Sequence, residues 1–169
     1  MIVNSPVYNT LVAEEICLVN SMRQFVFKEE RGRPVSLNHA ELGALDVSIG
    51  RLLKLLWEHD PFLVDLCRPG DPNVSVFELQ LLYAIAARRG GHSTIVSEVL
   101  AWWLPQRALN AATKHLSKIA GILDQAGMAT QSIERLKAHI LALASTRCRG
   151  LHLFAVDSDL PTVGSRVLH

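Results

Sequence analysis

Apolar residues recur every three or four positions in six segments of this chain, and that period predicts six amphipathic helices. The first segment follows Asn4-Ser5-Pro6, a capping residue with a proline placed in the first turn. The second begins at Ser36 or Asn38 and ends at Asp60-Pro61. Residues 61–73 hold three of the seven prolines, so we expect them to form a connection.

The third segment carries the clearest start and stop signals. Ser75-Val76-Phe77-Glu78 is a full S-x-x-E capping box. The helix that it opens should run to Arg88-Arg89, cations suited to the negative end of the helix dipole, and stop at Gly90-Gly91. A fourth helix is expected from 93–94 to Pro105.

The last two helices and a short tail complete the predicted fold. A fifth helix is expected at about 106–125, and a sixth should be capped by Thr130 and close near Gly150. The pattern then changes, and we interpret 151–169 as a C-terminal arm that is extended or partly disordered. Short connections and the absence of a convincing set of strands indicate an all-α fold, a single-domain helical bundle over residues 1–150.

Composition narrows the class of protein. At 169 residues and 49% apolar content, the chain can form one folded core without a metal or disulfide. Charged residues interrupt every apolar stretch before the ~20 residues that a transmembrane helix needs, and no secretory signal is visible. Cys17, Cys67 and Cys148 are widely spaced and odd in number, which favours a reducing cytoplasmic location.

The nearly balanced charge hides a gradient along the chain. The formal net charge is +1, but residues 1–87 carry seven basic and eleven acidic side chains, whereas 88–169 carry ten basic and five acidic. Between Arg88 and Arg149 the counts are nine basic and three acidic. Two interpretations stay open: the halves pack on each other, or the basic half binds an anionic partner.

Motifs that would indicate catalysis or metal binding are missing from the sequence. There is no Glu-x-x-His pair of the di-iron type, no HExxH and no zinc-type cysteine pair. A GxSxG elbow and a glycine-rich phosphate loop are also absent. We therefore predict no catalytic residue, no metal ligand and no cofactor.

Two features remain as candidate binding residues. Trp102 and Trp103 are adjacent, so they point about 100° apart on a helix, and tryptophan is enriched at interface hot spots. Arg107, Lys114 and Lys118 share one stripe of the fifth helix, opposite its apolar face. The candidates for partner binding are Trp102, Trp103, Arg107, Lys114, Lys118, Arg135 and His139. The alternative set, for nucleic acid, is Arg88, Arg89, Arg107, Lys114, Lys118, Arg147 and Arg149.

These observations favour function by contact rather than by catalysis. Our leading hypothesis is a non-catalytic, self-associating protein–protein interaction or regulatory module, whose partner is itself or another protein. A nucleic-acid-associated regulator using residues 88–149 is the first alternative. The second is an enzyme or small-molecule-binding bundle whose site is scattered over several helices.

Overall fold

The protein is a bundle of six α-helices without a β-strand in the part that the computed structural model describes, residues 8–27 and 40–147. A 3-10 turn at Tyr8–Thr10 precedes the first helix. The helices are α1 (Ala13–Phe27), α2 (Ala40–His59), α3 (Val76–Arg89), α4 (Ser93–Trp103), α5 (Gln106–Gln125) and α6 (Ile133–Arg147). The all-α prediction is confirmed, and the expected arm at 151–169 lies outside the described residues.

Helix α3 occupies the centre of the bundle. It packs against α1, α4, α5 and α6, whereas α2 packs against α1 and α5. Nine of its fourteen residues are buried. A helix buried on most sides needs apolar residues around most of its circumference, and α3 has them. The other helices each bury one apolar stripe against it or against one another, and together they form one core.

The capping box predicted at the start of α3 is present in full. The Ser75 hydroxyl accepts a hydrogen bond from the Glu78 amide at 3.0 Å, and the Glu78 carboxylate accepts one from the Ser75 amide at 2.8 Å. The same carboxylate forms an ion pair with Arg23 of α1 at 2.7 Å, and both side chains are fully buried. The cap of α3 is therefore also the point at which α1 is fixed to it.

The predicted cap at Asn4-Ser5-Pro6 lies outside the described residues, and the α-helix expected to continue from it is wrong at residues 8–12. The chain forms the 3-10 turn first, and α1 begins only at Ala13. The reason is Glu15, whose carboxylate accepts a hydrogen bond from the Val12 amide at 3.1 Å and so satisfies a free N–H group of the first turn. The Glu15 side chain is fully buried.

The predicted cap of the sixth helix at Thr130 is also wrong. The Thr130 hydroxyl instead accepts a hydrogen bond from Arg89 at 3.2 Å. Helix α6 begins three residues later, after Ser132, whose hydroxyl accepts a hydrogen bond from the Arg135 amide at 3.3 Å. The expected bounds of α5, by contrast, are confirmed at both ends, and its stop is marked by Gly127 at φ 62°.

Candidate interaction surfaces

The two adjacent tryptophans lie in different environments. Trp103 is 7% exposed, and its ring centroid is 5.2 Å from that of Phe77 on α3 at an interplanar angle of 44°. Trp102 is 71% exposed. Because neighbouring helical positions point about 100° apart, α4 places one indole in the core and presents the other at the surface.

A strip of α3 remains half-exposed between α4 and α6. Both helices pack on α3, but they make at most marginal contact with each other. Val76, Gln80 and Tyr83 are all partly buried, and their spacing of four and three places them within an arc of about 60°. This strip is the part of α3 that its four neighbours leave uncovered.

Helical spacing places apolar side chains of α4 and α6 beside this strip, because they lie on the same sides of their helices as Glu98 and Glu134, which both influence Tyr83. On α4, Ile95, Val99 and Trp102 repeat the spacing of four and three, with the first two half-buried. On α6, Leu141 is 58% exposed and Lys137 lies one turn before it on the same side. We call this surface the α3 groove: its floor is Val76, Gln80 and Tyr83, and its walls are Ile95, Val99, Trp102, Lys137 and Leu141.

Acidic side chains mark one end of the α3 groove. Burial raises the pKa of the Tyr83 hydroxyl, and the carboxylates of Glu98 and Glu134 raise it further. Hydrogen bonds from a backbone N–H and from Ser132 lower the pKa of Glu134, and His92 lowers it as well. Glu98 of α4 and Glu134 of α6 are therefore both near Tyr83, so they lie across the groove from each other at the end away from Trp102.

The predicted basic stripe on α5 is exposed. Arg107, Lys114 and Lys118 all face solvent, and none of them forms an ion pair among the described residues. Burial lowers the pKa of His115, and the charges of Lys118 and of Arg51 on α2 lower it further. The stripe is therefore extended by a cation from α2, along the line where α2 and α5 pack.

The two arginines that end α3 are engaged inside the bundle. The Nε of Arg88 donates to the Ser117 hydroxyl at 2.9 Å. Arg89 forms an ion pair with Asp124 at 2.7 Å and also donates to Thr130. Both side chains hold α5 and the following loop against α3, which weakens the case for them as contacts to a nucleic acid.

The remaining basic candidates do not extend the α5 stripe. Arg135 is exposed and His139 is half-buried on α6, but α6 packs on α3 rather than on α5. The Nε2 atom of His139 lies 3.4 Å from the Thr10 hydroxyl, so this imidazole faces the start of the chain. The side chain of Arg147 and the whole of Arg149 fall outside the described residues.

The charge gradient along the sequence is not neutralised by ion pairs between the two halves that the structure describes. Three ion pairs join residues of the same half: Arg23 with Glu78, Lys54 with Glu58, and Arg89 with Asp124. The halves do pack on each other: α5 packs on α2 and α3 through apolar side chains, and the Gln131 amide donates a hydrogen bond to the Glu15 carboxylate at 2.7 Å.

The two described cysteines are free thiols of low reactivity. Burial raises the pKa of the Cys67 thiol to about 11, with a further contribution from Glu78. Burial also raises the pKa of Cys17. Because the thiolate is the nucleophile, neither residue is suited to nucleophilic catalysis at neutral pH.

No protein-family model, no curated protein and no solved structure matches this chain. Within the described ranges, no three His, Cys, Asp or Glu side chains are grouped as metal ligands would be. None of the six helices has the length and apolar character needed to span a membrane.

Sequence reasoning identified Trp102 but missed the residues that surround it. Leu141 follows Ile140 directly, so it points about 100° away from that residue and lies outside the apolar stripe of α6. An apolar residue outside the apolar stripe of an amphipathic helix can be recognised in the sequence as a candidate contact. The row on α3 is recognised only from its partial exposure in the structure. Neither signal shows by itself that the two surfaces are neighbours.

Proposed function

We propose that this protein is a non-catalytic interaction module and that the α3 groove is the surface that binds another protein chain. The observation that carries the proposal is Trp102, which is 71% exposed at the end of an apolar row on α4. Large exposed aromatic residues in an apolar surface are typical of binding sites, and tryptophan is the residue most enriched at hot spots.

The dimensions and chemistry of the α3 groove suit one segment of protein. Two rows with a spacing of four and three lie side by side over about two turns, one on α3 and one on α4. The α4 row is apolar throughout, and the α3 row places the amide of Gln80 between Val76 and Tyr83. An amphipathic helix binds such a surface with residues at i, i+3 or i+4, and i+7. The carboxylates of Glu98 and Glu134 would favour a basic residue in the bound segment near Tyr83.

Self-association is the form of this function to test first, because a second copy is present in every preparation. We would measure molar mass by light scattering over a wide range of protein concentration. Wild type should form a dimer, and Trp102→Glu should weaken the dimer at least about tenfold, since it removes a hot-spot side chain. Trp57→Glu is the matched control, because Trp57 is 45% exposed on α2, which contributes nothing to the α3 groove.

A monomer at every concentration would refute self-association and leave a different protein as the partner. A photo-crosslinking amino acid at position 102, compared with the same group at position 57, then tests that partner in an extract of the native host. Specific products from position 102 alone are expected. Equal products from the two positions, or none, would refute the assignment of the α3 groove.

The exposed stripe on α5 supports one alternative, a nucleic-acid-associated regulator. Arg107, Lys114 and Lys118 are free to contact phosphates, and Arg51 adds a fourth cation nearby. Titration of duplex DNA at several salt concentrations tests it: binding with a log–log slope of about −3 would fit three or four neutralised phosphates. Loss of binding in Lys114→Glu would localise it, and no binding at low salt would remove this alternative.

The free thiols of Cys17 and Cys67 support the further proposal that the protein works in a reducing, cytoplasmic compartment.

A further inference from the structure

The α3 groove opens at the point where the chain leaves α6. Phe77, in the first turn of α3, contacts Trp103 at the end of α4, so these two helices run in opposite directions. Glu134, in the first turn of α6, is close to His92, which directly precedes α4. Helices α4 and α6 are therefore parallel, and α6 ends at the same end of the groove as Trp102.

The chain beyond α6 is long enough to return to the groove. Twenty-two residues, 148–169, follow Arg147. Leu141 lies six residues before Arg147, a distance of about 9 Å along the helix axis. Four extended residues span about 13 Å, so Leu151 can come level with Leu141.

The sequence of this segment complements the surface that it can reach. Residues 151–156 read Leu-His-Leu-Phe-Ala-Val, and Asp157 and Asp159 follow them. The near end of the α3 groove is apolar at Trp102 and Leu141, and Lys137 lies one turn further along. The apolar run of the tail therefore meets the apolar surface at Trp102 and Leu141. The carboxylates do not meet Lys137, because Lys137 lies only about 6 Å past Leu141, whereas Asp157 lies about 20 Å past Leu151 in an extended chain.

We propose that residues 151–156 bind in the α3 groove of their own chain, where they cover Trp102 and Leu141 and compete with any external partner. The segment then acts as an internal competitor that sets the affinity of the groove for other proteins. This inference rests on the proposed function only in that both use the same surface.

The accessibility of Trp102 in the full chain tests the proposal. Trp57→Phe leaves Trp102 and the buried Trp103 as fluorophores, whereas Trp102→Phe leaves Trp57 and Trp103; each is quenched with acrylamide. In an uncovered groove Trp102 must be quenched more strongly than Trp57, since the exposed fractions are 71% and 45%. In the chain with its native tail we expect the opposite order, because the tail shields Trp102.

A charge in the tail should restore the order expected for an uncovered groove. Phe154→Asp, added to each single variant, should raise quenching of Trp102 above that of Trp57 and shift the Trp102 emission to longer wavelength. Val167→Asp is the matched control, since it adds the same charge to the same tail outside 151–156, and it should change nothing. Stronger quenching of Trp102 than of Trp57 with the native tail overturns the proposal.

Dilution separates this proposal from coverage by a second copy. Shielding by the chain's own tail is independent of protein concentration, and shielding that disappears on dilution would overturn the proposal. The two hypotheses also fail separately. If Trp102→Glu affects no association and position 102 gives no specific crosslinked product, but the order of quenching reverses with Phe154→Asp, the proposed function fails and this inference stands.

Discussion

Removal of the Arg23 guanidinium is the sharpest test of how the bundle is held together. Its Nε and Nη2 donate to the two carboxylate oxygens of Glu78 at 2.7 and 3.0 Å, a bidentate arrangement between two side chains of zero exposure. The guanidinium also donates to the carbonyl groups of Asp71 and Asn73 in the segment before α3. Arg23→Met keeps the apolar stem of the side chain and removes all of these hydrogen bonds.

The expected loss of stability follows from what the variant leaves behind. Glu78 would retain hydrogen bonds from the backbone amides of Cys67 and Ser75, at 3.2 and 2.8 Å, but its buried charge would have no counter-ion. Breaking a buried ion pair in this way costs about 3–5 kcal/mol. Because a domain of this kind has a total stability of roughly 5–15 kcal/mol, the variant should lose at least about one fifth of it.

Urea unfolding followed by circular dichroism measures this free energy. Lys54→Met is the control, since Lys54 pairs with Glu58 at 3.9 Å with both side chains largely exposed, and such pairs contribute about 0.3–0.5 kcal/mol. Arg23→Met combined with Glu78→Leu should recover part of the loss, because the uncompensated charge is removed. The expected loss in the free energy of unfolding is ~3–5 kcal/mol for Arg23→Met. If that loss is instead within about 1 kcal/mol of the loss for Lys54→Met, the reasoning is refuted.

Four further predictions concern Gly50, Gly43, Cys67 and His115. Gly50→Ala should destabilise by about 1–3 kcal/mol, because the added Cβ would lie 2.8 Å from the Phe25 ring. Gly43→Ala meets nothing within 4 Å and should stabilise α2 by about 0.5–1 kcal/mol; thermal melts that shift in the same direction for both would contradict this. Cys67, with its pKa raised to about 11, should react with iodoacetamide at pH 8 about tenfold more slowly than an ordinary thiol of pKa 9, because its about 100-fold smaller thiolate fraction is partly offset by the greater nucleophilicity of that thiolate, and a rate equal to that of the free thiol would contradict it. Because burial and nearby cations lower the pKa of His115, the unfolded chain takes up its proton first as the pH falls below about 6.5, and stability should decrease there. The free energy of unfolding, measured with urea, should fall less between pH 7.5 and pH 5.5 in His115→Gln than in wild type. An equal fall in both proteins would show that His115 does not cause it.

Local signals in the sequence were sufficient where the interaction that decides the structure is itself local. The capping box of Ser75 and Glu78 joins residues three apart, and the bounds of α5 depend on Pro105 and Gly127. The exposure of the α5 stripe followed from helical periodicity alone. In each case the relevant partners lie within one or two turns of the same helix.

Long-range partners overrode local signals elsewhere. Thr130 is a good capping residue, but Arg89, which is 41 positions earlier, binds its hydroxyl. The carboxylate of Glu15 accepts a hydrogen bond from the Gln131 amide, 116 positions later, at 2.7 Å. It also accepts one from the amide of Val12, which lies 3 positions earlier. No periodicity contains such a contact, because it depends on how the helices are arranged around α3.

The α3 groove was beyond sequence analysis for a related reason. None of its residues is unusual by itself. Tyr83 belongs to the central helix, Leu141 lies outside the apolar stripe of α6, and Trp102 is one of two adjacent tryptophans. They form one surface because α4 and α6 both pack on α3 and have at most marginal contact with each other. A sequence shows which helix faces are apolar, but not which helices pack together. An apolar residue such as Leu141 that no predicted core explains is therefore the useful warning, since it indicates either a further contact in the fold or a partner. The accessibility of Trp102 distinguishes these two outcomes. If the chain's own tail covers the groove, Leu141 is a contact within the fold; if another chain covers it, Leu141 is part of an interface.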